Sequence, residues 1–330
     1  MWRFTIALSL ALMAGCLHAE GLTAERLGVV YDTDDPASVR VAELYAARRR
    51  VPAVNVIGLV VPDRAVIGRA DLARLRGVLL ARLPSEVQSL LLVWARPYAV
   101  ECMSITSAFA AGYQPGFCEP GCARTTLSPL FDAQGWIPAD TVGWLPAMLL
   151  PTRDEALARA VVERGVRSDG SRPPGTVYLV RTQDAARNVR AAGYADAEAV
   201  TRVRVLEQST PLHGPLPDAI AYFTGAERVA ELHQIGFLPG AVADHLTSTG
   251  GVLQGGSQMS ALEWLEHGAT GSYGSVSEPC NHPGKFPSPA VFLDHYLHGE
   301  TLLEAYWKSV AMPGQGLFIG EPLARPYSDQ

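Results

Sequence analysis

The residues best suited to chemistry fall in one stretch, 241–287, which reads AVADHLTSTGGVLQGGSQMSALEWLEHGATGSYGSVSEPCNHPGKFP. It holds Asp244, His245, Thr247, Ser248 and Thr249, the pairs Gly250-Gly251 and Gly255-Gly256, and then Glu278, Cys280 and His282. Polar, glycine and Cys/His positions this dense, bracketed by apolar runs, suit a functional loop better than packing.

Four chemistries are open to these residues. A serine hydrolase would need Asp244 to orient His245 and His245 to activate Ser248 or Ser257. Adjacent residues of a strand point to opposite faces, so Asp244 and His245 cannot act as orienter and base, and no G-x-S-x-G elbow is present. The glycine pairs, which precede a short helix, could cradle a phosphate on exposed amides. Neither G-x-x-x-x-G-K-[ST] nor G-x-G-x-x-G occurs there, and tight turns account for the glycines. Cys280 and His282 with Glu278 or His245 could hold a metal. Cys-x-His is not a usual zinc spacing and a disulfide competes for the thiol, so no metal and no cofactor are expected. The catalytic option with most content is a cysteine nucleophile, Cys280, whose thiol pKa a nearby imidazole of His245 would lower. Against it stands the reading in which Cys280 is half of a disulfide and His245 a hydrogen-bonded structural residue, and the sequence favours that reading.

The chain of 330 residues is 48% hydrophobic and 18% charged with a net charge of −6, which excludes nucleic-acid binding by charge and fits a globular protein of one large or two small domains. Residues 1–19 have the form of a secretory signal: Arg3, an apolar run from Phe4 to Ala14, and Leu17-His18-Ala19 ahead of Glu20. Met13-Ala14-Gly15-Cys16 also resembles a lipoprotein box, so lipidation of Cys16 is the alternative to simple cleavage. No later run reaches the ~18 apolar residues of a membrane span. Export to the periplasm or beyond leaves Cys102, Cys118, Cys122 and Cys280, an even set in an oxidising compartment. A disulfide from Cys118 to Cys102 or to Cys122 is expected.

Apolar strands alternating with capped helices must position these residues. Strand patterns run over 27–31, 55–61, 89–94, 176–181, 202–206, 219–223, 270–276 and 317–319. Their apolar runs lack alternation, which implies parallel sheets covered on both faces, an α/β fold. Capping boxes are read at Thr152/Glu155, Ser260/Glu263 and Thr301/Glu304, and a further helix over about 184–192 with Gly193 behind it. Residues 96–140 break the pattern with Gly, Pro, Cys and Thr, as an insertion stapled by its cysteines would. The expected organisation is an N-terminal α/β subdomain over 20–167 containing that insertion, a Pro/Gly linker over 168–175, and a C-terminal α/β subdomain over 176–330.

Several segments together resemble gingipain-type, caspase-like peptidases. Val142 to Gly165 is similar to the segment before their second subdomain, Ala219 to Glu227 (AIAYFTGAE) to the strand that ends in Gly-His-Gly, Ser260 to Ser277 to the helix and strand after their catalytic Cys, and Gly320-Glu321-Pro322-Leu323 to a terminal turn. The resemblance implies a caspase-like, flavodoxin-like second half. Their dyad does not carry over: Gly225-Ala226-Glu227 stands where Gly-His-Gly would, and no Cys lies between Cys122 and Cys280. A hydrolase would need a relocated pair, His245 and Cys280. The chain also resembles an exported bacterial family of unassigned activity, through DHLTSTGG (Asp244 to Gly251), the run ending Glu-Pro-Cys (Gly271 to Cys280), KFP (Lys285 to Pro287) and EAYWKSV (Glu304 to Val310). That family is associated with genomes that sort envelope proteins by a C-terminal Pro-Glu-Pro (PEP-CTERM) signal. This chain closes on Ala324-Arg325-Pro326-Tyr327 without one, so it is not expected to be a sorted substrate.

The resulting expectation is a non-catalytic binding or assembly factor with a protein or peptide partner. Strands ending near Phe223, Val242 and Val276 would deliver Glu227, Asp244, His245, Ser248, Glu278 and His282 to a cleft at the carboxyl edge of the sheet. Gly255 and Gly256 would let backbone approach the ligand there.

Overall fold

The structure is a computed structural model that describes residues 21–118, 122–201, 203–210, 212 and 214–328; the secretory-signal segment and Cys16 lie outside them. The first half runs β1 (Leu27–Asp32), α1 (Pro36–Arg49), β2 (Val56–Leu59), β3 (Val66–Ile67), α2 (Arg69–Leu80), β4 (Ser89–Val93), β5 (Ala99–Val100), β6 (Met103–Ser104), α3 (Ile105–Ala111), α4 (Ala139–Val142), β7 (Ala147–Leu150) and α5 (Glu155–Ser168). The second continues with β8 (Thr176–Arg181), α6 (Tyr194–Val200), β9 (Arg204–Ser209), β10 (Leu216–Gly225), β11 (Ile235–Leu246), α7 (Leu262–Glu266), β12 (Gly271–Ser275), α8 (Pro289–Leu297), α9 (Leu302–Ser309) and β13 (Gly316–Gly320).

Ten strands form one sheet in the order β2-β1-β4-β7-β13-β12-β11-β10-β8-β9. Strands β2, β1, β4, β7 and β13 are mutually parallel, and so are β12, β11, β10, β8 and β9. The two sets meet at a single antiparallel seam, β12 against β13. The chain's last strand therefore completes the first half-sheet, beside β7. β3, β5 and β6 make a small separate sheet.

Strands such as Ser89–Val93 and Ala147–Leu150 are buried at every position, which is what an apolar run covered on both faces becomes. Helices α1, α5 and α7 pack in succession, with Arg40–Glu155 and Arg48–Glu163 ion pairs joining the first two. On the other face α6 packs on α8 and α8 on α9. There Trp307 stacks on Phe318 of β13 at 4.7 Å, and Tyr273 of β12 meets Phe318 edge-on at 5.2 Å, so aromatic rings lock the seam. No helix among the described residues is long and apolar enough to cross a membrane.

The capping box at Thr301/Glu304 forms in full. At Thr152 it does not: the cap of α5 is Asp154, whose carboxylate accepts from the Leu157 amide, while the Thr152 hydroxyl donates to Asp35. Asp154 offers a charged acceptor closer to the first helical turn. Over 184–192 the structure has a 3-10 segment, Asn188–Gly193, which runs into α6 rather than stopping at Gly193. The irregular insertion contains the buried helix α3, and its cysteines pair as Cys102–Cys118 and Cys122–Cys280. The first staple is internal, as one of the two expected pairings has it; the second ties the insertion to the far half of the chain.

Candidate functional site

Strands β10, β11 and β12 end side by side, and a cleft of about 700 Å3 opens beyond the ends of β11 and β12. Three segments wall it. Arg187 comes from the connection after β8; Leu246, Thr247 and Ser248 close β11 and continue beyond it; Glu278, Cys280, Asn281, His282 and Phe286 follow β12, with Cys122 of the insertion bonded across to Cys280. The position agrees with the rule that open α/β sheets bind ligands past the carboxyl ends of their strands. Gln258 fixes the β11 loop by accepting from the Thr247 hydroxyl and from the amide and hydroxyl of Thr249. Arg187 donates to the Thr247 hydroxyl at 3.3 Å and pairs with Asp184 at 2.5 Å. Beyond that pair lies a second cleft of about 470 Å3, lined by Thr182, Asp184, Thr224, Glu227 and Arg228 among others.

Of the residues singled out from sequence, Ser248, Glu278, Cys280 and His282 do line the main cleft, and Glu227 lines its neighbour. Asp244 and His245 do not, because β11 runs on to Leu246 and keeps both inside the sheet, each 1% exposed. They face opposite ways. Asp244 meets Arg190 at 2.6 Å on the side of α6. His245 packs against Trp264 of α7, whose indole donates to Nδ1 at 2.9 Å, while Nε2 lies 3.0 Å from the Met259 carbonyl. An indole N–H can only donate and a carbonyl only accept, so the imidazole is neutral with its proton on Nε2. Burial holds its pKa down, to about 4.

The His245/Cys280 pair is therefore not assembled. The Cys280 sulfur is bonded to Cys122, and both His245 nitrogens are engaged on the far side of a buried strand. Gly255 and Gly256 are exposed and lie outside both clefts. The glycines that matter to backbone approach are others: a Cβ on Gly251 would sit 2.4 Å from the Gly274 carbonyl oxygen, and one on Gly225 would collide with the Arg187 carbonyl. These contacts seat the β11 loop on β12 and the Arg187 segment on β10.

Electrostatics at the cleft are mixed. The Glu278 carboxylate accepts from the Cys280 amide at 2.7 Å, and Cys280 adopts a left-handed φ of 53° there. Burial, then the nearby Arg124 and Lys285, lowers the His282 pKa. The Lys285 ammonium is buried without a hydrogen-bond partner among the described residues, and burial lowers its pKa while Glu278 opposes. Burial raises Asp244 to about 6 even though Arg190 pulls the other way. No group of three or more His, Cys, Asp or Glu side chains suited to a metal occurs among the described residues.

Sequence reasoning missed Arg187, Arg190, Asn281, Phe286 and Cys122. The sequence carried half a signal for Arg190: an aspartate inside an apolar strand requires a buried cation, but Arg228, Arg204 and Arg202 all lie nearer to Asp244 in sequence, so the partner could not be named.

No family model matches the sequence, and no curated protein matches it. Two solved structures share its fold over most of its length. One is a protease, with a TM-score of 0.54 and 12% identity over 92% of this chain and 79% of that one. The other is the complex of Porphyromonas gingivalis RgpB pro- and mature domains, with a TM-score of 0.53 and 8% identity over 91% and 79%. The chain has the mixed α/β, mostly parallel architecture of caspase-like, gingipain-type peptidases, and at these identities it is the fold that is shared.

Proposed function

We propose that the chain is a non-catalytic binding or assembly factor on a caspase-like scaffold, taking an extended protein or peptide segment along the carboxyl edge of its second half-sheet. The observation that carries this is the state of the one candidate dyad: His245 has no free nitrogen and Cys280 no free thiol. An extended ligand is favoured because the two clefts adjoin across the Arg187–Asp184 pair, and both present hydrogen-bonding side chains rather than one enclosed pocket. Ser248, Glu278 and His282 would contact the ligand, while Asp244 and His245 support the wall from beneath. Export, with Cys16 as the alternative lipid anchor, belongs to the same proposal, as do membership of the exported family carrying DHLTSTGG and a link to envelope protein sorting. Two disulfides support the oxidising compartment.

The test is incubation of the oxidised protein with reduced, carboxymethylated casein as an unfolded probe, followed by mass spectrometry. Hydrogen-exchange protection at 246–248 and 278–286 without new casein termini is the expected result. Casein cleavage that disappears in the His245→Ala or Cys280→Ala chain would restore the hydrolase.

A further inference from the structure

Arg190 joins the three segments that wall the main cleft, at residues next to those that line it. It lies in the segment that carries Arg187, its Nη2 donates to the Thr224 carbonyl of β10 at 2.7 Å, and its Nη1 donates to the Pro287 carbonyl, next to Phe286, at 3.2 Å. The guanidinium lies 5.8 Å from the Phe223 ring and 6.0 Å from the Phe286 ring. Its charge is met by Asp244, two residues before the cleft residue Leu246. Asp244 is flanked in its row of the sheet by apolar and aromatic residues, and the row's other carboxylate, Glu207 beyond Leu179 on the edge strand β9, is exposed and paired with Arg181. Leu179 and Phe223 precede it in register, and Val242 opposite Gly271 places Tyr273 and then Phe318 after it. Neither carboxylate oxygen has a hydrogen-bond partner among the described residues beyond the ion pair.

We propose that the Arg190–Asp244 ion pair is a proton-operated latch that holds the three walls of the cleft together and releases them on acidification. The proposal rests on the binding reading above and adds its regulation. The charged and titratable groups around Asp244 are Arg190 and Tyr194 from the 188–200 segment, Tyr273 from β12 and Tyr306 from α9. Burial raises all three phenols, so they stay neutral below about pH 9. Asp244, at about 6, is the member of this set that titrates near neutrality.

The sign follows from what stays buried. Asp244 is held in the sheet, so when Arg190 swings away the carboxylate remains desolvated and loses its cation, and its pKa rises above the closed-state value. Opening is then coupled to proton uptake. The open population grows by up to about tenfold per pH unit as pH falls toward about 6 and levels off below that. His245, on the opposite face, titrates lower, at about 4, and cannot produce that window.

Hydrogen exchange read by mass spectrometry on the intact, oxidised chain tests this without any ligand, so its failure leaves the binding reading standing. With rates corrected for intrinsic chemistry, amides of 182–193 and 280–287 are expected to lose roughly tenfold or more protection between about pH 8 and about pH 6, while α1 and α5 hold theirs. Asp244→Asn should show the acid-like exchange at both values, and His245→Gln should keep the wild-type response. Equal protection in the wild type at both values overturns the latch, as does an Asp244→Asn chain that retains the full response. Should Asp244→Asn fail to fold, the wild-type comparison decides alone.

Discussion

Replacing His245 by Gln should change how stability depends on pH. In the folded chain the buried imidazole titrates at about 4 against an ordinary 6.5, so the folded state binds the proton less readily than the unfolded one. A depressed folded pKa contributes stability that is present above 6.5 and lost as pH falls through 4. At about 1.4 kcal/mol per unit, that loss approaches about 3 kcal/mol. Asp244, the next residue, is raised from 3.8 to about 6, and its sign is opposite: its contribution is fully present below 3.8 and gone once pH has risen through 6. The magnitude is again about 3 kcal/mol. The two terms nearly cancel over a shared window, so this strand's contribution to wild-type stability should be flat between about pH 4 and 6.5. Gln can accept from Trp264 and donate to Met259 without titrating, so His245→Gln should gain about 3 kcal/mol relative to wild type on going from about pH 7 to about pH 4. Asp244→Asn should lose a similar amount relative to wild type, on top of a pH-independent penalty for the uncompensated Arg190. Urea unfolding at constant slope reads both. Parallel pH profiles for wild type and His245→Gln would refute the reasoning, since every other titrating group is common to the two chains.

Three further expectations are simpler to check. Without reductant, a thiol reagent should label none of Cys102, Cys118, Cys122 and Cys280. Replacing both Cys122 and Cys280 by Ser should lower stability by about 2–5 kcal/mol in denaturant, because their bond closes a span of 158 residues. Gly251→Ala should cost about 1–3 kcal/mol by forcing the β11 loop off the Gly274 carbonyl, and an unchanged midpoint would show that the loop is not seated there.

The strands were legible because nothing competes with an apolar run for burial: 176–181 was read to the residue, and 27–31 and 89–94 to within one. Strand β11 was harder. Asp244 and His245 look like a strand end, since a charged residue in a sheet interior is tolerated only when a distant partner neutralises it, and Arg190 lies in a different part of the chain. The same blindness hid the pairing of Cys122 with Cys280, since cysteine spacing says nothing about which distant loop returns to which. At the cleft, Ser248, Glu278, Cys280 and His282 were found because they sit in a loop whose composition marks it. Arg187 was not, because an arginine on a helical stretch reads as an ordinary solvated charge until the fold shows what it faces.

The antiparallel seam has a consequence for how the molecule comes to exist. The strand that finishes the N-terminal half-sheet, Gly316–Gly320, is made only after all the strands of the other half, so β7 has an open edge throughout synthesis. An unpaired, fully buried-type strand is an invitation to mispairing. The chain must either keep that edge occupied by transient partners or delay consolidation until its last strand arrives. Both make folding slow and non-local, and both place the burden on whatever accompanies the nascent protein. Neither half-sheet is thus a finished object by itself.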